Sequence, residues 1–240
     1  MNNIRLIIFD LDDTLINFGG VTEKAWKLTC ESLVKQFSLD IDSEIIANEI
    51  VVINNAFWSD EEKRPKGNFS ALDIRASIVS KALDKLNMKD EKLIDYLVNH
   101  YATYKYQAVS LYEDVPNVLK ELKHRGYIIT LLTNGDSTSQ REKIARFDLE
   151  PLLDGIFIEG EQGVGKPDQK AYNNILNRFG VLEHEACMIG DHYLWEVVAP
   201  KKYGLKAIWV NRGDSIIPMD DHYHADYTIN NISDLLDIFH

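Results

Sequence analysis

The sequence predicts an α/β fold, a parallel sheet with helices on both faces, interrupted near its start by an all-helical insertion. Three observations carry this. Short apolar runs of β-forming residues alternate with amphipathic helical patterns, the signature of βαβ units. Three of the helical patterns stop at a glycine just before a strand, at Gly126, Gly180 and Gly204. Residues 16–111 break the alternation, with four helical stripes and no convincing strand.

The chain opens on residues 4–10, IRLIIFD, a run suited to a strand buried on both faces. Inside the insertion, Trp26, Cys30, Leu33 and Phe37 give the first apolar stripe, and Ile46, Ile50, Ile53 and Phe57 repeat its spacing. Leu72, Ala76, Val79, Leu83 and Leu86 form the third, and Leu93, Leu97, Tyr101 and Tyr104 the fourth. Residues 59–70, SDEEKRPKGNFS, read as the longest loop there. Asp114 before Pro116 marks a capped helix start. Further strands are predicted at residues 127–133 (YIITLLT), 155–158, 186–191 (ACMIGD) and 205–210 (LKAIWV).

Composition bounds the function. The 240 residues amount to one large domain, or a domain plus an insertion, at about 150 residues each. The 26 basic and 38 acidic residues give a net charge of −12, so a broad nucleic-acid-binding face is not expected. No apolar run approaches the roughly 20 residues of a membrane span, and none resembles a signal peptide. The expectation is a soluble, cytoplasmic protein that uses neither membrane nor nucleic acid and keeps Cys30 and Cys187 reduced, both as packing residues. The oligomeric state is not legible.

The chemistry sits where strands end. The first strand runs into Asp10-Leu11-Asp12-Asp13-Thr14, the second into Thr133-Asn134-Gly135, and the third strong run into Gly190-Asp191. Ligands in open parallel sheets bind beyond the carboxyl ends of the strands, so Asp10, Asp12, Thr133, Asn134 and Asp191 should face one crevice. At about 4 Å and an effective dielectric near 20, each like-charged pair costs about 4 kcal/mol. Such a cluster calls for a proton or a cation, and hard oxygen donors favour Mg²⁺.

These residues, together with Gly165-Lys166-Pro167-Asp168 and the acid Glu196 five positions after Asp191, resemble the haloacid dehalogenase superfamily. The likeness is to its phosphatase branch, with a helical cap inserted after the first motif, and it covers nearly the whole chain. It implies a Rossmann-like catalytic core over residues 1–15 and 113–240, a cap domain over 16–112, and hinges near residues 16–20 and 110–114. It further implies a Mg²⁺-dependent phosphatase acting on a small phosphomonoester of the nucleotide or sugar-phosphate class through an aspartyl-phosphate. Asp10 would be the nucleophile, and Asp12 the acid and then the base. Thr133 and Asn134 would donate to the phosphoryl oxygens, and Lys166 would neutralise charge on nucleophile and substrate. Asp10, the Asp12 main-chain oxygen, Asp191 and Glu196 would hold Mg²⁺. Glu196 stands where the family usually has Asp, which bears on the metal's geometry. Asp12 favours phosphate esters over carbon–halogen bonds, because a leaving halide needs no proton. Two rival readings remain at this stage, a sugar phosphomutase or phosphotransferase of the same family and a catalytically weakened binding module.

Several residues have a plainer reading. His192 reads as local structure beside Asp191, and the run from Asp220 to His224 as an exposed loop rather than a metal site. Phe18, Trp58, Arg64 and Arg75 are the cap residues that the resemblance offers for substrate selection.

Overall fold

The computed structural model describes residues 1, 3–59, 71–213 and 222–240. Most of residues 59–70, with Arg64, fall outside that description, as do the Trp58 side chain and Asp220 and Asp221. The chain divides into two compact units, Met1–Asn17 with Ser110–His240, and Phe18–Val109.

The first unit is built on six parallel strands. In chain order these are β1 (Leu6–Phe9), β4 (Ile128–Thr133), β5 (Gly155–Ile158), β6 (Ala186–Gly190), β7 (Lys206–Val210) and β8 (Tyr227–Ile229); two short strands outside this sheet, β2 (Ile16–Asn17) and β3 (Ser110–Leu111), fall between β1 and β4. Their spatial order is β5-β4-β1-β6-β7-β8. All four residues of β1 are buried, as its unbroken apolar sequence requires of a central strand. Leu6 and Ile8 pack on one face with Leu132, Tyr172, Ile175, Leu176 and Met188. Strand alternation sends Ile7 and Phe9 to the other face. Five strands match the apolar runs of the sequence. The sixth, β8, was not expected, because the three residues YTI are too few to show a period.

The helices of this unit follow their sequence signals. Helix α5 (Val115–His124) buries Val115, Val118, Leu119 and Leu122. Pro116 sits in its first turn, but Asp114 makes no side-chain cap there; its carboxylate accepts the Ser233 amide at 2.9 Å instead. Helix α6 (Ser137–Arg146) is capped by Asp136, whose carboxylate accepts the Ser139 amide. A one-turn helix, α7 (Glu159–Gln162), follows β5, and Arg141 of α6 forks onto Glu161 with two 2.7 Å bonds. Helix α8 (Gln169–Phe179) ends on Gly180, whose φ of 61° is the left-handed stop that glycine adopts without a Cβ penalty. After β6 the chain makes a π-helical turn over Tyr193–Val198 and then the short α9 (Ala199–Lys202); α10 (Leu235–Ile238) closes the chain.

The second unit holds four helices, α1 (Thr22–Phe37), α2 (Ser43–Ser59), α3 (Ala71–Lys85) and α4 (Glu91–Ala108). They enclose a core of Trp26, Cys30, Leu33, Ile46, Ile50, Val79, Leu83, Leu93, Leu97 and Tyr101, the inner members of the four predicted stripes. The outer members fare differently, since Phe37 and Leu72 are exposed. A stripe read at fixed spacing drifts off the buried face at its ends.

The expectation of no strand within residues 16–111 is corrected. Ile16–Asn17 (β2) pairs antiparallel with Ser110–Leu111 (β3), in the register Ile16↔Leu111 and Asn17↔Ser110. The pair ties together the two points where the chain leaves the first unit and returns to it. A two-residue ladder leaves no hydrophobic period in the sequence.

Candidate active site

Parallel register explains why residues far apart in sequence meet. Phe9 lies opposite Leu131 of β4 and Ile189 of β6. The residues at or just beyond the ends of these strands, Asp10, Thr133 with Asn134, and Asp191, therefore emerge along one edge of the sheet. They line a cavity of about 170 Å³ together with Asp12, Lys166, His192, Trp195 and Glu196. All seven residues expected at the site are thus brought together.

Lys166 is the centre of the charge arrangement. Its ammonium donates to Asp10 Oδ1 at 2.6 Å and to Glu196 Oε1 at 2.8 Å, with the lysine and glutamate side chains each only 1% exposed. Burial alone would lower its pKa, but the two carboxylates more than offset this and hold it above the ordinary lysine value. The Asn134 side chain fixes the backbone beneath. Its Nδ2 donates to the Lys166 carbonyl and its Oδ1 accepts the Lys166 amide, both at 2.8 Å. That side chain is therefore spent on positioning Lys166.

The carboxylates outnumber the cations here. Burial, with Asp10 and Asp13 nearby, pushes Asp191 up to about 7. Burial pushes Glu196 up to about 8 against the pull of Lys166, and raises Asp10 as well. Glu196 Oε2 is buried with no hydrogen-bond partner, a costly state for a carboxylate oxygen. Asp191 Oδ1 accepts the Thr14 hydroxyl at 3.3 Å, and its carbonyl accepts the Trp209 indole N–H at 2.8 Å. A hard cation satisfies such an oxygen-rich, under-neutralised set. Among the described residues, no three His, Cys, Asp or Glu side chains are arranged to hold one by themselves, so a main-chain oxygen and water must complete any shell.

Two residues absent from the sequence reading complete the site. Lys143 Nζ donates to both Asp12 oxygens at 2.8 Å, and Gln140 Nε2 donates to Asp12 Oδ2 at 3.2 Å, to the Asn134 carbonyl at 2.9 Å and to the Thr133 hydroxyl. Both are buried on α6. Nothing in the sequence of this polar helix marks them, because only the fold shows that this face meets Asp12. His192 stacks on Trp195 with ring centroids 4.1 Å apart at the cavity wall.

Two glycines let backbone and side chains close in. A Cβ on Gly190 would lie 2.2 Å from Glu196 Cγ, and one on Gly165 would lie 2.7 Å from Asn134 Oδ1. Both positions demand glycine because the site residues themselves occupy the space.

The chain is similar to a set of known hydrolases. The sequence model of haloacid dehalogenase-like hydrolases matches residues 4–203. The chain is 26% identical over 239 residues to a glyceraldehyde 3-phosphate phosphatase of Pyrococcus furiosus, covering 99% of this chain and 94% of that protein. It is 28% identical over 238 residues to the human N-acylneuraminate-9-phosphatase, covering 98% and 93%. A phosphoserine phosphatase of Thermus thermophilus is 36% identical over 125 residues, 52% of this chain and 49% of that protein. Among solved structures, a magnesium-bound HAD-hydrolase of Bacillus subtilis superposes with a TM-score of 0.76 at 20% identity, over 99% of both chains.

Proposed function

Because the chain belongs to the haloacid dehalogenase-like hydrolase family, we propose that it is a Mg²⁺-dependent phosphatase acting on a small phosphomonoester of the nucleotide or sugar-phosphate class. The observation that carries the reading is the buried Asp10–Lys166–Glu196 chain beside Asp12 and Asp191. The relatives described above, all phosphatases by name, support the choice of a phosphoryl substrate.

Asp10 is the nucleophile. One of its oxygens bonds to phosphorus as the ester P–O bond breaks, giving an aspartyl-phosphate and a leaving alcohol that takes a proton from Asp12. Water then attacks phosphorus and gives its proton to the Asp12 carboxylate, which frees Asp10 and inorganic phosphate. Lys166 holds the Asp10 carboxylate in place and offsets the charge that gathers on the phosphoryl oxygens. The Thr133 hydroxyl and the Asn134 main-chain N–H are the donors to that group, since the Asn134 side chain is engaged with Lys166. Lys143 and Gln140 are positioning residues that aim Asp12.

The donor set suits Mg²⁺. Asp10, the Asp12 carbonyl and Asp191 would hold it, with the unpartnered Glu196 Oε2 reaching it through water, and it would supply positive charge opposite the transferring phosphoryl group. The longer Glu196, in place of aspartate, reaches Lys166 as well.

Hydrolysis of p-nitrophenyl phosphate with Mg²⁺, with EDTA and in Asp10→Asn tests the reading. Turnover should require both the metal and Asp10. A second assay on a sugar monophosphate separates hydrolysis from isomerisation, and an isomeric sugar phosphate in place of free phosphate would replace the phosphatase reading with that of a mutase.

A further inference from the structure

The helical unit contains a cavity of its own, about 540 Å³ in volume, within the size range of small-molecule sites. Its walls include Phe18, Trp26, Arg75, Ile78, Tyr101 and Lys105. In a chain with 12 more acidic than basic residues, two cations line this cavity and, among the described residues, no acid does.

Those cations stand against aromatic rings. The Arg75 guanidinium carbon lies 4.8 Å from the Tyr101 ring centroid, and Lys105 Nζ lies 3.6 Å from that of Phe18 and 6.0 Å from that of Tyr101. The Tyr101 ring in turn stacks on Trp26 at 4.0 Å. A ring steadies a cation without cancelling its field, as a carboxylate would. Arg75 is half-buried on α3 and, among the described residues, makes no ion pair; its one hydrogen bond runs from Nη1 to the Val98 carbonyl of α4 at 3.0 Å. That bond fixes one side of the planar fork and, among the described residues, leaves its other donors without an acceptor. The Trp26 indole N–H in the same wall is also buried without a partner. The Arg75 fork and the Trp26 indole thus offer hydrogen-bond donors in the wall of this cavity, and flat aromatic surfaces adjoin them.

We propose that this cavity binds the carboxylate of a small organic acid with a planar or apolar body, Arg75 receiving the carboxylate and Trp26 and Tyr101 packing the body. A two-oxygen planar anion matches a half-used guanidinium fork better than a point acceptor does. The binding claim stands on the helical unit alone; only its bearing on turnover rests on the phosphatase reading.

Calorimetry on the full chain tests it with 2-naphthoate and its neutral counterpart 2-naphthamide. The acid should bind at least about tenfold more tightly, a ratio equal to one charge-assisted contact. Arg75→Leu should abolish that preference, while Arg75→Lys, which keeps the charge but not the fork, should restore part of it; circular dichroism checks that each variant is folded. Equal binding of acid and amide, an undiminished preference in Arg75→Leu, or no binding of either at millimolar concentration overturns the proposal. Inhibition kinetics against p-nitrophenyl phosphate then identify the source of the carboxylate. Inhibition that weakens in Arg75→Leu ties the carboxylate site to turnover, and binding without inhibition assigns it to a separate organic acid.

Discussion

Asp12 is the residue on which the proposed proton transfers depend, and it is oriented by a side chain 131 positions away, Lys143. General acid–base catalysis contributes about 10²–10⁴-fold, so Asp12→Asn should lower kcat within that range. Lys143→Met should lower kcat by about tenfold, a small part of that contribution, and leave KM nearly unchanged, because Lys143 aims the acid without facing the phosphoryl group. A purely structural lysine would instead lower the melting temperature and leave the kcat of the folded fraction intact. Steady-state kinetics with a parallel thermal melt separates the two. Asp10, Asp12, Thr133, Lys166 and Asp191 were legible in the sequence because each sits just after a strand or in a short motif. Lys143 and Gln140 were not, since neither belongs to a motif and their partner is fixed only when α6 folds against the strand ends. The Asn134 side chain was legible as polar and near the site, but its engagement with the Lys166 backbone was not.

At the scale of elements, the junction of β6 with the π-helical turn controls the site. Gly190 ends β6, and the turn brings Glu196 back over it, so closely that a Cβ would lie 2.2 Å from Glu196 Cγ. Gly190→Ala should therefore displace Glu196 and remove one of the two carboxylates on Lys166. Overpacking of this kind costs about 1–3 kcal/mol. We expect a lower denaturation midpoint together with a large loss of kcat, and wild-type values of both would contradict this account of the junction. A π-turn closes i→i+5 hydrogen bonds in place of i→i+4, and such turns recur at functional sites. The sequence spacing of five between Asp191 and Glu196 marked the acid but not this geometry. The β2–β3 pair and β8 were equally hidden, because ladders of two and three residues are stabilised by what surrounds them and not by their own pattern.

For the molecule as a whole, the site's shortage of positive charge links metal binding to stability. A ligand at about 100 times its Kd adds about 2.7 kcal/mol, and for chains of this size 1 kcal/mol moves Tm by about 2–4 °C. Saturating Mg²⁺ should thus raise the melting transition of the first unit by about 5–10 °C. Asp191→Asn should remove most of that rise, and an equal Mg²⁺ response in wild type and variant would argue against Asp191 as a ligand. Among the described residues, no helix is long and apolar enough to cross a membrane, in keeping with the absence of a long apolar run in the sequence.

The sequence by itself determined the α/β class, five of the six core strands, the four-helix insertion and the motif residues at the strand ends. Those follow from local periodicity and from short motifs, which the chain carries wherever it folds. Only the tertiary structure decided which buried polar side chains meet. It joined Lys166 to Glu196, set Lys143 and Gln140 on Asp12, and placed Arg75 over the Tyr101 ring, which stacks on Trp26. Such contacts depend on the register and packing of elements distant in sequence, and no period within one element encodes them.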